Sequence, residues 1–456
     1  MLSERFLTNL VKGMTKRHLD LQPTDEHFFP DPKPDTKYML YLHVPFCQVL
    51  CPYCSFNRYV FHEDIARTYF KNLRREMMML KERGWDFETL YFGGGTPTIL
   101  AARDLVAMLD AIRKIWGIAP DAEITTEANP DTVNEYYINE LAAGGFTRVS
   151  FGMQSAVPHV LKTLDRTHTP ANVAAGVNAA NKAGLRSSVD LIYGAPGESL
   201  DDWRTSVTTA IDLGVNHISA YALTVEPTTK MGRQIAAGTL PKPNDDDEAA
   251  KYEIADDLFA AAGLEWYEVS NWARPGYESQ HNLGYWRNVD WAGLGPGAHS
   301  HYNAVTEADH PQSASLTAPA GGGCPADAGL GVVSVSHGLR SWDIAHPRLW
   351  GTAINENRVP WADSETITPE ENLEELIMLG LRLHEGLDLD RINRAINDAG
   401  MSSTPQTLRT VSVDQLAPMI SEGLITVSDN HRVVPTRRGR LLNDSVIEQF
   451  FDFVGV

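Results

Sequence analysis

Between residues 37 and 270 the apolar positions of the chain fall into a regular beat. KYMLYLHVPF, TLYFGGGTPT, AEITTEANP, TRVSFGMQS, SSVDLIYGAP, HISAYALTVEP and LEWYEVS are short runs rich in β-branched and aromatic residues, the composition of strands. Between most of them the apolar residues return every three to four positions. Ile65, Tyr69, Phe70, Leu73, Met77 and Leu80 do so within residues 63–84, and Leu105, Met108, Leu109 and Ile112 within 103–115. That spacing lines one face of a helix and marks the Met and Leu stripes as core. Asp201, ahead of Trp203, Val207 and Ile211, offers an N-cap to a further helix. Strands alternating with helices predict an α/β domain with a parallel sheet and right-handed crossovers, open or closed.

After His299 the beat stops. Residues 304–335 contain SASLTAPAGGGCPADAGLG, a small, polar, Gly/Pro-rich stretch that reads as a loop or flexible insertion. Beyond it a smaller module is expected. A helix over 371–386, ENLEELIMLGLRLHEG, is closed by Gly386, and a second covers 413–423. LITVSDNHRVVPT then predicts a hairpin turning at Asp429-Asn430, and a last helix covers 438–453. The expected organisation is an N-terminal extension (1–36), an α/β domain (37–303), an insertion (304–335) and a C-terminal domain (336–456). Helices with a hairpin suit either a winged-helix DNA reader or a lid docked on the first domain.

Charge separates those two. With 59 acidic and 39 basic residues the chain carries a formal charge of −20, which repels phosphate backbones, so no nucleic-acid partner is expected and the lid is favoured. No run reaches the roughly 18 apolar residues of a membrane span. MLSERFLTNLVKGMTKRHLD reads as an amphipathic helix without the apolar segment or cleavage site of a secretory leader. Four cysteines in 456 residues make no disulfide scaffold, which points to a reducing cytoplasm.

Three of those cysteines, Cys47, Cys51 and Cys54, lie within eight residues as C-x3-C-x2-C. Four readings compete. A disulfide leaves one thiol unpaired and suits the wrong compartment. A structural zinc site wants four ligands, which His43 or His62 would have to complete. Inert buried thiols are a third reading, although Pro52 between two of the cysteines favours a turning loop. The fourth is an iron–sulfur cluster, in which three thiolates on four irons leave one iron open to a ligand. The loop follows the first strand, at the end of the sheet where α/β folds place their chemistry.

Other strand ends carry matching groups. Gly93, Gly94 and Gly95, before Thr96-Pro97, let backbone approach a ligand closely, or make a plain tight turn. Glu127 ends the third run and Gln154 the fourth. Arg166 lies just beyond in LDRTH, and Asp190 sits within SSVDLIYG. Each has a bland role as a cap or surface ion pair. Together they describe a site for a zwitterionic nucleoside, with an arginine for a carboxylate and acids for ribose or ammonium.

YLHVPFCQVLCPYC resembles the signature of the radical S-adenosylmethionine (SAM) superfamily, and FGGGTPT its glycine motif. EITTEANP, RVSFGMQS, VDLIYGAP, ISAYALTVEPTT and LGPGAHS, in that order, resemble the oxygen-independent coproporphyrinogen dehydrogenase family within it. The likeness covers nearly all of residues 37–448 except 304–335. It implies a partly open (β/α)6 barrel followed by a smaller helical, winged-helix-like domain. It also implies that Cys47, Cys51 and Cys54 hold a 4Fe-4S cluster whose open iron chelates SAM. Reduction of that cluster would cleave SAM to methionine and a 5′-deoxyadenosyl radical. Gly94 and Gly95 would lie against the SAM amino group, and Tyr41, Glu127, Gln154, Arg166 and Asp190 would contact SAM.

Small features separate the branches of this family. The dehydrogenase has a further cysteine two residues after the third ligand, where this chain has Phe56, and a tyrosine-rich N-terminal segment in place of DEHFFPDPKPDTKY. The haem chaperone branch is marked by H-N-x-x-Y-W, present as His281-Asn282-Leu283-Gly284-Tyr285-Trp286. A neutral imidazole is a common axial ligand to haem iron, and Tyr285 and Trp286 suit a flat macrocycle. His299 and His301 are nearby alternatives, and Cys324-Pro325 is read as incidental. Ser55-Phe56 departs from the Asp-Phe usual in that branch. The resemblance implies haem or a related porphyrin as partner, with a haem-acceptor protein and a low-potential electron donor. An enzyme acting on a porphyrin by methyl transfer or ring opening, or the dehydrogenase itself, are the alternatives, because all share the cluster and SAM machinery.

Overall fold

In the computed structural model the described residues are 38–81, 85–303, 338–398 and 410–455, so the N-terminal extension and the stretch with Cys324 lie outside them. Six strands run parallel and in sequence order: β1 Tyr38–Val44, β2 Asp86–Gly94, β3 Gly117–Ala128, β4 Arg148–Gln154, β5 Arg186–Tyr193 and β6 His217–Ala222. Leu40, Leu42, Leu90, Phe92, Phe151, Val189 and Ile218 are fully buried within them. That burial on both faces is why the strands read as continuous apolar runs rather than alternating ones. The crossovers carry α1 Glu63–Met79, α2 Ala102–Ile115, α3 Glu135–Gly144, α4 Pro158–Thr163, α5 Pro170–Lys182 and α6 Leu200–Asp212. The cap of α6 is Ser199, not Asp201. The Ser199 hydroxyl accepts from the Asp202 N–H and Asp202 reaches back, a capping box that an aspartate two residues inside the helix cannot form.

After β6 come α7 Lys230–Ala236 and α8 Asp245–Ala261, and there the parallel rule ends. β7 Glu265–Glu268 and β8 Asn271–Ala273 are antiparallel to one another, and β8 is antiparallel to β6. Two residues separate β7 from β8, too few for a crossover. Past α9 Gln280–Trp286, β9 Trp291–Leu294 lies parallel to β1 on its free side. β10 His299–Tyr302, β11 Gly338–Asp343 and β12 Trp361–Ile367 extend the sheet antiparallel beyond it. The twelve strands follow the order β12-β11-β10-β9-β1-β2-β3-β4-β5-β6-β8-β7, and among the described residues the two end strands do not pair. The barrel is partly open.

Residues 338–367 therefore belong to the barrel sheet, with α10 Pro347–Asn355 between its last two strands. The C-terminal domain begins with α11 Pro369–Gly380 rather than at 336. It contains α12 Leu389–Asp398, α13 Ala417–Ser421, α14 Arg437–Leu441 and α15 Asn443–Val454 around a three-stranded sheet, β13 Leu387–Asp388, β14 Ile425–Val427 and β15 Arg432–Pro435. Leu373, Ile377, Ile392, Leu416 and Phe450 form its separate core. Two helix ends differ from expectation. α11 stops at Gly380, where a side chain would strike Leu387, and the last helix is broken at Leu442. The domain is tied to α8 by Arg440, bidentate to Asp256 at 3.1 and 2.8 Å, and by Arg437 to Asp257 at 2.6 Å. Among the described residues no helix is long and apolar enough to cross a membrane.

Candidate functional site

A cavity of about 460 Å3 opens over the C-terminal ends of the parallel strands, and every nominated cofactor residue except Tyr41 and His281 lines it. The chain leaves β1 into a two-residue strand, Phe46–Cys47, paired with Tyr59–Val60, so the cysteine loop is pinned at both ends. Cys47 is buried at the base and Cys51 and Cys54 are half-exposed, all three as free thiols. Arg58 Nη2 donates to the Cys51 carbonyl at 2.6 Å, and the Met231 N–H of α7 donates to the Pro52 carbonyl at 2.9 Å. Burial pushes the Cys47 and Cys54 thiols up from their usual value. A bound cation reverses that cost by stabilising thiolates.

The donor set fits an open-sided cluster better than zinc. His43, one of the two candidates for a fourth zinc ligand, has both ring nitrogens engaged. Its Nε2 donates to the Asn57 carbonyl at 2.7 Å, which leaves Nδ1 to accept from the Tyr41 hydroxyl at 2.9 Å. Asn57 in turn donates to the Pro296 and Ala345 carbonyls at 2.8 and 3.0 Å, tying the cysteine loop to LGPGAHS. Sequence reasoning passed over Asn57. Its only signal was a polar side chain three residues past the last cysteine.

The glycine run closes the wall opposite. Gly94 has φ of +107°, and a side chain there would meet the His43 ring at 2.4 Å; at Gly95 it would meet the Phe46 carbonyl at 2.6 Å. The run is thus a tight turn pressed against the protein's own His43 ring and Phe46 backbone, which requires glycine at both positions. Glu127 sits behind, its Oε1 accepting from the Tyr91 hydroxyl at 2.9 Å and its Oε2 from the Gly94 N–H at 3.1 Å. Burial raises its pKa to about 7 against those two donors. Asp190 accepts from Ser219 at 2.7 Å and Ser150 at 2.9 Å, and burial raises its pKa as well. Gln154 is held at φ of 60°, a left-handed conformation that a non-glycine residue adopts at some cost. Arg166 Nη2 donates to Asn129 Oδ1 and, at 3.1 Å, to the Gly152 carbonyl. Its Nη1 lies 3.6 Å from Cys51 Sγ. Tyr41 stands behind the wall, stacked on Tyr91 at 6.2 Å.

His281 lies away from the cavity. It is 1% exposed at the start of α9, stacked on Tyr91 at 5.1 Å. Its Nδ1 shares a hydrogen bond with Thr89 Oγ1 at 2.7 Å, and its Nε2 one with the Tyr285 hydroxyl at 3.0 Å. Burial lowers its pKa to about 3, so the ring is neutral. His301 is also buried, stacked on Trp291 at 4.6 Å, and His299 is exposed on β10.

Residues 41–210 match the radical SAM superfamily and residues 367–442 the HemN C-terminal domain. The radical SAM domain implies a 4Fe-4S cluster and SAM. The protein named heme chaperone HemW of Mycobacterium tuberculosis is 37% identical over 91% of this chain and 95% of its own length. That of Bacillus subtilis is 30% identical over 90% and 98%, and that of Escherichia coli K12 is 38% identical over 57% and 69%. Among solved structures, the coproporphyrinogen III oxidase HemN of Escherichia coli superposes with a TM-score of 0.70 at 20% identity, covering 91% of this chain and 90% of that one. This last likeness speaks to the fold, and the curated relatives to the lineage: the chain belongs to the HemW family of the radical SAM superfamily.

Proposed function

We propose that this chain is a haem chaperone, which binds haem and passes it to an acceptor protein in the cytoplasm. The observation that carries the reading is its end-to-end likeness, 37% identity over 95% of the mycobacterial relative, to proteins named heme chaperones. Cys47, Cys51 and Cys54 would hold the cluster, three thiolates leaving one of its four irons without a protein ligand. When bound, the cluster supplies a one-electron reductant, recharged by a low-potential donor, and SAM supplies a cleavable sulfonium. The chain's own groups orient SAM. The Glu127 carboxylate and the backbone of Gly94 and Gly95 face its ammonium, and the Arg166 guanidinium takes its carboxylate. Asp190, preset by Ser150 and Ser219, accepts from ribose hydroxyls, Gln154 completes the wall, and Tyr41 backs it through Tyr91.

His281 is the proposed axial haem ligand. Its neutral ring keeps a lone pair at any physiological pH. Haem iron would displace the Tyr285 hydroxyl from Nε2, so ligation is coupled to movement of Tyr285 on α9. One experiment separates the readings. Anaerobically reconstituted protein is given haem, SAM and dithionite and followed by optical spectra and product analysis. A stoichiometric Soret shift with haem recovered unchanged, and transfer to an apo-haemoprotein, are expected. Haem consumption or a methylated product with 5′-deoxyadenosine would replace the chaperone by an enzyme. Conversion of coproporphyrinogen to protoporphyrinogen would overturn both.

A further inference from the structure

We infer that Thr96 and Arg166 set the reduction potential of the cluster by donating hydrogen bonds to two of the thiolates that hold it. The inference rests on the assignment of Cys47, Cys51 and Cys54 as cluster ligands. Thr96 precedes the 3-10 turn Pro97–Ile99, the N-cap position where a hydroxyl ordinarily accepts from a backbone N–H, and it makes no such bond. Instead its Oγ1 donates to Cys47 Sγ at 3.6 Å, a normal length for a sulfur acceptor. The residue is placed by its main chain, since the Thr96 N–H donates to the Phe46 carbonyl at 2.7 Å. The hydroxyl is therefore free to serve the sulfur. Cys47 is fixed in its turn, its carbonyl accepting from the Phe61 N–H at 2.9 Å.

Arg166 has the same logic with a charge added. Its Nη2 is committed to Asn129 Oδ1 and the Gly152 carbonyl, an arrangement that locks the guanidinium plane. The remaining Nη1 is aimed at Cys51 Sγ, 3.6 Å away. Reduction of a 4Fe-4S cluster adds one electron from an external reductant, breaks no bond, and places part of the added charge on the thiolate sulfurs. Donors to those sulfurs stabilise the reduced state more than the oxidised one and raise the potential. Thr96 is a positioning and tuning residue in this account. Arg166 has a second role beside its proposed contact with the SAM carboxylate.

The full chain, reconstituted anaerobically without SAM, is titrated with dithionite while the electron paramagnetic resonance signal of the reduced cluster is followed. Thr96→Val keeps the shape and the backbone bond but removes the donor, and a shift of the midpoint to more negative potential is expected. Thr96→Ser returns the donor and is expected at the wild-type midpoint. Arg166→Gln, which removes the charge, is expected to shift in the same direction as Thr96→Val. A Thr96→Val midpoint equal to wild type, or moved positive, overturns the inference. Should that variant fail to take up iron, an unchanged midpoint in Arg166→Gln overturns it equally. Iron and sulfide content keeps the two layers apart. A Cys47→Ala protein that still gives the full cluster signal would remove the ligand assignment itself, whereas normal clusters with unmoved potentials remove only the tuning.

Discussion

At neutral pH the Glu127 carboxyl is divided between its two protonation states, because burial raises its pKa to about 7 while Tyr91 and Gly94 donate to it. Two opposite pH dependences follow. In the ligand-free protein the folded-state value lies above the unfolded one, so the stabilising contribution is complete below about 4.5 and is lost as pH rises through about 7. Glu127→Gln removes the buried charge and should raise the apo thermal midpoint at pH 8 by at most about 3 kcal/mol equivalent, with little gain at pH 4.5. Calorimetric scans at the two pH values measure this. For SAM binding the sign reverses, since an ammonium ligand favours the carboxylate. Affinity should rise from pH 6 to 7 in wild type but not in Glu127→Gln, which should be about tenfold weaker at pH 7 by titration calorimetry. His281 calls for a gentler probe than alanine, which would strand Thr89 and Tyr285 and cost about 2–3 kcal/mol by itself. Tyr285→Phe frees Nε2 and leaves the ring in place, so haem should bind more tightly to it in optical titrations. Its failure to do so would count against His281. The chain nominated Cys47, Cys51, Cys54, Glu127, Asp190 and Arg166, which the structure brings to one cavity, because the cysteines cluster and the other three lie in or near strand ends. It did not nominate Thr96, Asn57 and Asn129, common loop residues whose partners lie far away in sequence.

The strands and helices of the parallel half follow the apolar pattern closely because each is buried on a continuous face. Of β10 to β12, the last escaped notice for the opposite reason: Trp361–Ile367 is an edge strand with mostly half-exposed and exposed positions, and its sequence WADSETI shows no strand-like run. These elements nevertheless support the cysteine loop. Gly295 and Gly297, both with positive φ, bring the turn after β9 against the His43 carbonyl and the Asn57 side chain. Asn57→Ala deletes two donors across this contact, worth about 1 kcal/mol each. The expected result is a folded protein whose cluster loses iron to a chelator several-fold faster than wild type, read as decay of the visible charge-transfer band. Gly94→Ala, with φ of +107° and the His43 ring in the way, should fail to take up a full cluster at all.

The main barrel core and the C-terminal core are separate, and a small apolar cluster of Tyr267, Ala273, Leu283 and Leu383 together with the Arg437 and Arg440 ion pairs docks the second on the first. Arg440 is the central tie: it pairs with Asp256, lies 4.3 Å over the Trp266 ring, and is mostly buried. Arg440→Ala leaves Asp256 with less compensation and should cost about 2–4 kcal/mol. Its urea unfolding should separate into two transitions, the C-terminal domain melting first, where wild type shows a closer pair. Net charge and cysteine count carry no geometry, so the boundary of the cap at α11 came from strand pairing. That pairing also bears on where the chain can accept added length. β10 and β11 are neighbours, with Tyr302 opposite Leu339, so the chain leaves Asn303 and returns at Gly338 beside the point of departure. Between ends held this close, each doubling of a flexible insert's length costs only about 0.6 kcal/mol. The seam is also separated from β1 by two strands, β9 and β10. It is a natural graft point: a reporter domain spliced between these two strands would travel with the protein and leave its cofactor chemistry undisturbed.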